Sequence, residues 1–386
     1  MEKKKKSAKE LLISVLCLLV ILGMFFGLYL YAHKDDAPPQ EAAAYSEYEF
    51  AKVTEILSDS CEPDEVAEGA DRGQQTLLAE VTTGRYEGQT LLVHNAVGPI
   101  YGEQAEVGDS VCLIISTYEN GDLMATVYEY NRSTPIYIII ALFVLVTVLV
   151  GGKTGAKSIL GLALTVIVLL TILIPLLMKG WPVILTTFML CALVAIACFV
   201  ILGGVDKKTI CACLGTVAGM ALAMLFGMMA QAMVHLDGMR EADAEALLQL
   251  RQTGTPIGIR GLLVAGVIIS ALGAVMDVAM SISSAMSELK AVNPELTAKD
   301  LWRSGMNIGR DMVGTMTNTL ILAFLGSGIV EIVYLHSLGL SYNQLMSSSY
   351  MGIEVFSGVS SAIGVILSVP VTALVCSVLY GKRKAE

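Results

Sequence analysis

Asp277, Ser281, Ser284 and Glu288 follow one another at intervals of four, three and four residues. On a helix that spacing lines them along one face. A second series, Arg303, Asn307, Arg310, Gly314 and Thr317, repeats at four, three, four and three, again one face. Asn293-Pro294 stands between them and predicts an N-cap followed by Pro at the first helical position. Asp277 lies 16 residues before Asn293, and Arg310 lies 17 after it. An antiparallel helical hairpin therefore predicts Asp277 beside Arg310.

The chemistry such a pair offers is ion or proton handling. Asp277 is the candidate titrating or cation-binding group, with Arg310 as its charge partner. Asp311, Thr315 and Asn318 are candidate supporting ligands, and Ser281, Ser284 and Glu288 extend the polar face. Glu331 and Glu354 form a second acid pair, expected near the opposite membrane boundary. An ionisable group at mid-bilayer costs roughly 2.5–3.5 kcal/mol on insertion scales, so it usually faces a bundle interior or a wet cavity. The competing interpretation is interfacial anchoring, in which charges at span ends only mark the headgroup level. Gln231 is a weaker polar candidate in another span.

The elements that must position these residues are set by composition. The chain has 386 residues, 55% hydrophobic and only 16% charged, against roughly 25% charged in soluble domains. Mean hydropathy is +0.68. This excludes a soluble enzyme, a disordered scaffold and a nucleic-acid binder, and the net charge of −10 would repel a phosphate backbone. Eight apolar runs reach the roughly 17–25 residues a membrane helix needs: 11–31, 135–152, 158–178, 182–203, 209–234, 257–280, 312–335 and 353–380. Pro370 predicts tilt or a kink in the last of them.

Residues 32–134 differ from the rest. They hold 20 Asp and Glu against 5 Lys and Arg. Alternating patterns predict five strands at 48–57, 75–83, 88–95, 109–118 and 123–130, with Gly84, Gly108-Asp109 and Asn120-Gly121-Asp122 as turns. The second and third strands read as a hairpin. Five strands in this length suit a small OB-like barrel. The fold class expected is thus an α-helical polytopic membrane protein of about eight transmembrane helices, with an inserted small extracellular all-β domain.

Lys and Arg set the expected orientation. With the N-terminus inside, the inner loops and both termini collect 16 of them, while the short outer loops hold Lys179, Arg240, Arg251 and Arg260. The division expected is a basic cytoplasmic N-terminus (1–10), a transmembrane signal anchor (11–31), an extracellular β domain (32–134), a seven-helix bundle (135–380) with a cytoplasmic hairpin at 281–311, and a basic cytoplasmic tail (381–386). Residues 240–252 read as a short amphipathic helix on the outer surface.

Other motifs carry less. Gly151–Ser158 mimics a phosphate loop but lacks the required Gly at Thr147. The four histidines are scattered, and Cys211 and Cys213 have no histidine nearby, so neither a metal nor a cofactor is expected. Cys61 and Cys112 are the only cysteines of the β domain. An oxidising exterior permits a bridge between them, but one lies in an acidic loop and the other in an apolar strand. The Gly-x-x-x-Gly pairs Gly23/Gly27, Gly151/Gly155, Gly215/Gly219 and Gly305/Gly309 predict close helix packing.

The stretches DVAMSISSAMSEL (277–289) and GRDMVGTMTNTLILAFLGSG (309–328) resemble the YibE/F-like family of bacterial multi-pass membrane proteins. GDSV at 108–111, YEYNR at 128–132 and the layout of anchor, barrel and bundle fit the same pattern. The resemblance implies a bacterial plasma-membrane protein and supplies no activity. A fainter analogy is to SecDF and other RND-type permeases, from which the span count departs: seven follow the external domain here, against five.

Two functions compete. One is a transporter or permease working through the sixth and seventh spans on an unidentified small solute or ion. The other is a membrane-anchored binding or scaffold protein whose β domain recognises a ligand or partner. A membrane-embedded enzyme is a third, for which no catalytic motif is present. Expected partners are the lipid bilayer and a small membrane protein or a second copy, with no nucleic acid.

Overall fold

The computed structural model describes residues 8–34, 45–117, 123–236, 238 and 244–381. The chain forms two compact units, one made of Asp36–Thr147 and the other of the flanking segments.

The β unit is a closed barrel. Its strands are β1 (Tyr45–Asp59), the short β2 (Glu62–Pro63), β3 (Asp71–Val81), β4 (Thr90–Val97), β5 (Ser110–Thr117) and β6 (Leu123–Tyr130). They run β1-β5-β6-β4-β3, and β3 pairs again with β1 to close the ring. The β4–β6 pairing is parallel and the others are antiparallel. The predicted hairpin is β3–β4, with Leu77 opposite Val93. Alternate residues point inward, as a strand period of two requires. Leu77, Ala79, Val81, Val111, Leu113 and Ile115 fill the core.

One polar cluster sits inside the barrel wall. Gln75 and Asn95 are each 1% exposed. Asn95 Nδ2 donates to Gln75 Oε1 at 3.0 Å, and the Ala105 amide donates to the same oxygen at 2.9 Å. Gln75 Nε2 donates to Asp59 Oδ2, which also accepts from Gln104. These bonds tie the loop after β4 to the barrel. Cys61 and Cys112 are both free thiols.

The helical unit begins with α1 (Ala8–Ala32). Ile21 and Phe25 are buried in the bundle core, and Ser14 Oγ accepts from the Val205 amide at 2.8 Å. The first helix thus packs one edge against the bundle and leaves the rest of its surface exposed. After β6, α2 (Ser133–Val168) runs through a five-residue π turn into α3 (Ile174–Met178). The whole stretch of 46 residues would be about 69 Å long if straight, twice a bilayer core. Gly152 interrupts it with φ 55° and ψ −136°, a conformation that favours glycine.

The bundle then continues with α4 (Val183–Gly203), α5 (Lys207–Val234), α6 (Ala244–Gln252), α7 (Leu262–Val292), α8 (Ala298–Ser327), α9 (Ile329–Ser337), α10 (Tyr342–Met346) and α11 (Ser349–Tyr380). The predicted outer amphipathic helix corresponds to α6; its residues 240–243 lie outside the described set. Among the described residues six helices are long and apolar enough to cross a membrane, or seven if α8 and α9 form one bent span. That count takes the α2–α3 stretch once, although Gly152 divides it where the expected run 135–152 ends.

Small residues draw α5 against α11. A Cβ at Gly219 would approach Val275 Cγ1 to 2.8 Å and Ser368 Cβ to 2.6 Å, and one at Gly215 would strike Thr372. Gly305 and Gly309 are packed in the same way, whereas Gly23, Gly27 and Gly151 have nothing within 4 Å. Helix α11 continues without interruption through Pro370.

Candidate functional site

The candidate residues lie on α7, α8, α9 and α11. Helix α7 ends at Val292 with Asn293 as its C-cap. Helix α8 does not start at Asn293-Pro294 as predicted. Its N-cap is Thr297, whose hydroxyl accepts from the Asp300 amide while the Asp300 carboxylate accepts from the Thr297 amide. This reciprocal capping box satisfies two helix-terminal donors at once, which Asn293-Pro294 does not do.

The later start shifts the register. A Cβ at Gly305 would lie 2.7 Å from Met286 Sδ, and one at Gly309 would lie 3.3 Å from Ile282 Cδ1. Residue numbers at the same level therefore sum to 591, so Asp277 is level with Gly314 and Arg310 with Ser281. The hairpin predicted from Asn293 would have placed Asp277 level with Arg310. Their offset is four residues, or about 6 Å along the axis. No ion pair joins them among the described residues, and both side chains are exposed on the bundle surface. The charge partnership expected of Asp277 and Arg310 is thus not formed as an ion pair among the described residues.

The buried face of α8 is Leu301, Gly305 and Gly309. Arg303, Asn307, Arg310, Asp311, Thr315 and Asn318 are exposed. On α7, Asp277, Ser281 and Glu288 are exposed and Ser284 is half-buried. Thr315 Oγ1 donates to the Met312 carbonyl within its own helix. Gln231, the weaker candidate, donates to the Arg260 carbonyl at 2.8 Å and so ties the end of α5 to the turn that precedes α7.

The second acid pair fares differently. The predicted seventh span, 312–335, is not one straight helix. It breaks at Gly328, where α8 and α9 meet at 58°. Helix α9 begins there with Glu331 in its first turn, where a carboxylate complements the helix dipole. Glu354, in the second turn of α11, packs against the break: a Cβ at Gly328 would lie 3.1 Å from its Cδ.

Glu331 and Glu354 line one cavity of about 340 Å³. Its walls come from the end of α8, from α9 and from the start of α11. Neither carboxylate forms an ion pair among the described residues. The sequence singled out both acids but not the break that joins them. The signal was Gly326-Ser327-Gly328, a pair of poor helix formers inside an apolar run.

The apolar helices and their packing define a multi-pass membrane protein. The chain belongs to the YibE/F-like protein family, whose pattern matches residues 139–382. That segment contains the α7–α11 region and excludes the barrel. No curated protein and no solved structure matches the chain. The likeness to SecDF and RND permeases gains no support from these comparisons.

Proposed function

We propose that this protein is a permease that moves a small solute or ion across the bacterial plasma membrane. The observation that carries the reading is the broken α8–α9 span, with Glu331 and Glu354 on one cavity beside the break. Discontinuous helices and intramembrane carboxylates are the parts from which ion-coupled sites are commonly built. Asp277, with Ser281, Ser284 and Glu288 on its face, is the second candidate coupling group. Arg310, Asp311, Thr315 and Asn318 form a polar stripe that lipid would not solvate, so the reading places it against water, a second copy or a small membrane partner. The orientation supporting it is the Lys and Arg bias: both termini cytoplasmic and the barrel outside.

The test is a proteoliposome loaded with a pH-sensitive dye, under imposed ion and pH gradients. Wild type is expected to carry a flux that Glu354→Gln and Asp277→Asn reduce while remaining folded. Absence of flux under every gradient, with folded protein, would reject the permease reading.

A second reading is favoured by one observation on the barrel. Ile100 and Tyr101 are 81% and 77% exposed at a loop tip after β4, as in a surface that docks a partner. Deleting this tip would then abolish function and leave ion flux unaltered.

A further inference from the structure

We propose that the pocket where α4 and α7 begin binds the phosphate of an organic ester, and that an anionic phospholipid supplies it. The site stands apart from the α8–α9–α11 cavity and goes beyond the permease reading.

The pocket holds about 770 Å³, within the roughly 300–1,000 Å³ of small-molecule sites. Two apolar spans, α4 and the helix that ends as α7, both start at it. A membrane span begins at the headgroup level, so the pocket lies there. The two helix starts touch. A Cβ at Gly261 would come 2.8 Å from Val183 Cβ, and one at Gly258 would come 3.1 Å from Val183 Cγ2. Pro182 precedes α4 and Gly261 precedes α7, and neither end carries a side-chain cap. Each long helix brings about half a positive charge to its N-terminus. Two such ends side by side repel each other unless an anion lies against them.

Two arginines add to this field. Arg251 comes from the last turn of α6 and Arg260 from the turn that opens α7, and both line the pocket, part of whose wall is polar. Gln231 holds that turn through its bond to the Arg260 carbonyl. Neither guanidinium forms an ion pair among the described residues, and no acid lines the pocket among them. Basic residues are scarce on this side of the expected topology. The short outer loops hold four, and two of those four meet here. A cation would be repelled, and a neutral solute would leave the helix ends uncompensated. Guanidinium forks and helix N-terminal amides both suit phosphate oxygens. Ile184, Leu185, Met224 and Met228 supply a hydrocarbon and thioether wall, which an acyl chain would cover. Trp181 also lines the pocket, and tryptophan favours the headgroup level. A lipid phosphate thus matches both the charged and the apolar parts of the site.

The chain has two tryptophans, so Trp302→Phe leaves Trp181 as a reporter in the pocket. The full chain with this change is reconstituted into phosphatidylcholine vesicles. Increasing amounts of phosphatidylglycerol with a nitroxide on one acyl chain are included, and Trp181 fluorescence is followed. Saturable quenching is expected, with phosphatidylglycerol preferred about tenfold or more over nitroxide phosphatidylcholine, the scale of a charged contact. Arg251→Gln with Arg260→Gln should abolish the preference. Lys153→Gln with Lys157→Gln removes as much charge elsewhere, Lys157 lying at the far end of α4, and should leave the preference unaltered. Size-exclusion profiles and thermal unfolding establish that each variant is folded. Equal quenching by the two lipids overturns the proposal, and so does a preference unchanged in the folded double arginine variant. Equal loss in the lysine variant also overturns it, because the attraction would then belong to the whole surface. Quenching that persists in millimolar glycerol 3-phosphate supports the lipid as the source. Displacement by glycerol 3-phosphate would retain the phosphate site and remove the lipid as its occupant.

Discussion

The Glu354 carboxyl lies against Gly328, within 3.1 Å of where a side chain at that glycine would begin. The break between α8 and α9 and the placing of this acid are one structural event. A Cβ at residue 328 would crowd the carboxyl, which must then shift by a few tenths of an ångström. Gly328→Val, with its branched side chain, is expected to displace the Glu354 carboxyl from the break and to cost about 1–3 kcal/mol from overpacking. Thermal unfolding in nanodiscs reads the stability loss. Dye-monitored flux reads the displaced acid, and should fall as in Glu354→Gln.

Gly309 and Gly27 are both halves of Gly-x-x-x-Gly pairs, yet their surroundings differ. A side chain at Gly309 would meet Val369 and Ile282, whereas Gly27 has nothing within 4 Å. Gly309→Val is expected to destabilise the bundle by about 1–3 kcal/mol. Gly27→Val is expected to leave bundle stability within about 0.5 kcal/mol. Parallel denaturation of the two variants checks the contrast. Equal losses would mean that α1 is more closely covered than its open surface indicates.

Asp277 and Arg310 are offset by one helical turn and form no ion pair. A double-mutant cycle with Asp277→Asn and Arg310→Gln should therefore show a coupling below about 0.5 kcal/mol, since exposed charges that form no ion pair contribute little. A coupling above 1 kcal/mol, a level characteristic of residues in contact, would restore the side-by-side arrangement that the sequence spacing predicted.

Thr297 starts α8, and the start sets the register. Thr297→Ala is expected to cost about 1 kcal/mol, as loss of an N-cap does. Asn293→Ala should cost less, because Asn293 closes α7 and does not open α8. Hydrogen exchange over residues 298–304 reads the difference directly. Faster exchange confined to Thr297→Ala is the expected result.

The barrel has its own pH signature. Backbone and side-chain donors from Cys61, Gln75 and Gln104 hold the Asp59 carboxyl well below its ordinary value of 3.8. A lowered folded-state value means the stabilisation is fully present above pH 3.8 and is lost as pH falls toward the folded value. The exchange protection factors of the Gln75 and Ala105 amides, which remove the intrinsic pH dependence of exchange, should therefore stay high at neutral pH and fall only below about pH 3.8. In Asp59→Asn the protection should be lower at neutral pH and unchanged across that window. Beside it, burial and then the Asp59 carboxylate push the Cys61 thiol up to about 11. Maleimide labelling of Cys61 should thus be slower at neutral pH than that of a free thiol, because the thiolate is the nucleophile. Asp59→Asn should speed it.

Much of this protein was written locally. Strand alternation placed β1, β3, β4, β5 and β6 to within a few residues, because inward side chains recur every second position whatever the partner strand. Unbroken apolar runs marked the helices, because a bilayer demands length and hydrocarbon and little else. The same local signals identified Glu331 and Glu354 as acids in apolar surroundings.

What the sequence left undecided depends on contacts between segments far apart in the chain. Asn293-Pro294 reads as a helix start, yet α8 opens three residues later, where Thr297 and Asp300 complete a capping box. Gly305 and Gly309 acquire their meaning from Met286, Ile282, Val369 and Ala373 on two other helices, which fix the register and so separate Asp277 from Arg310. The break at Gly328 is held where α11 packs against it. Glu331 and Glu354 are 23 positions apart in the sequence, and they reach one cavity because α9 bends away at that break. Hydropathy is a property of each segment alone and is legible in sequence; register and convergence are properties of the packed helices together, and only tertiary structure decided them.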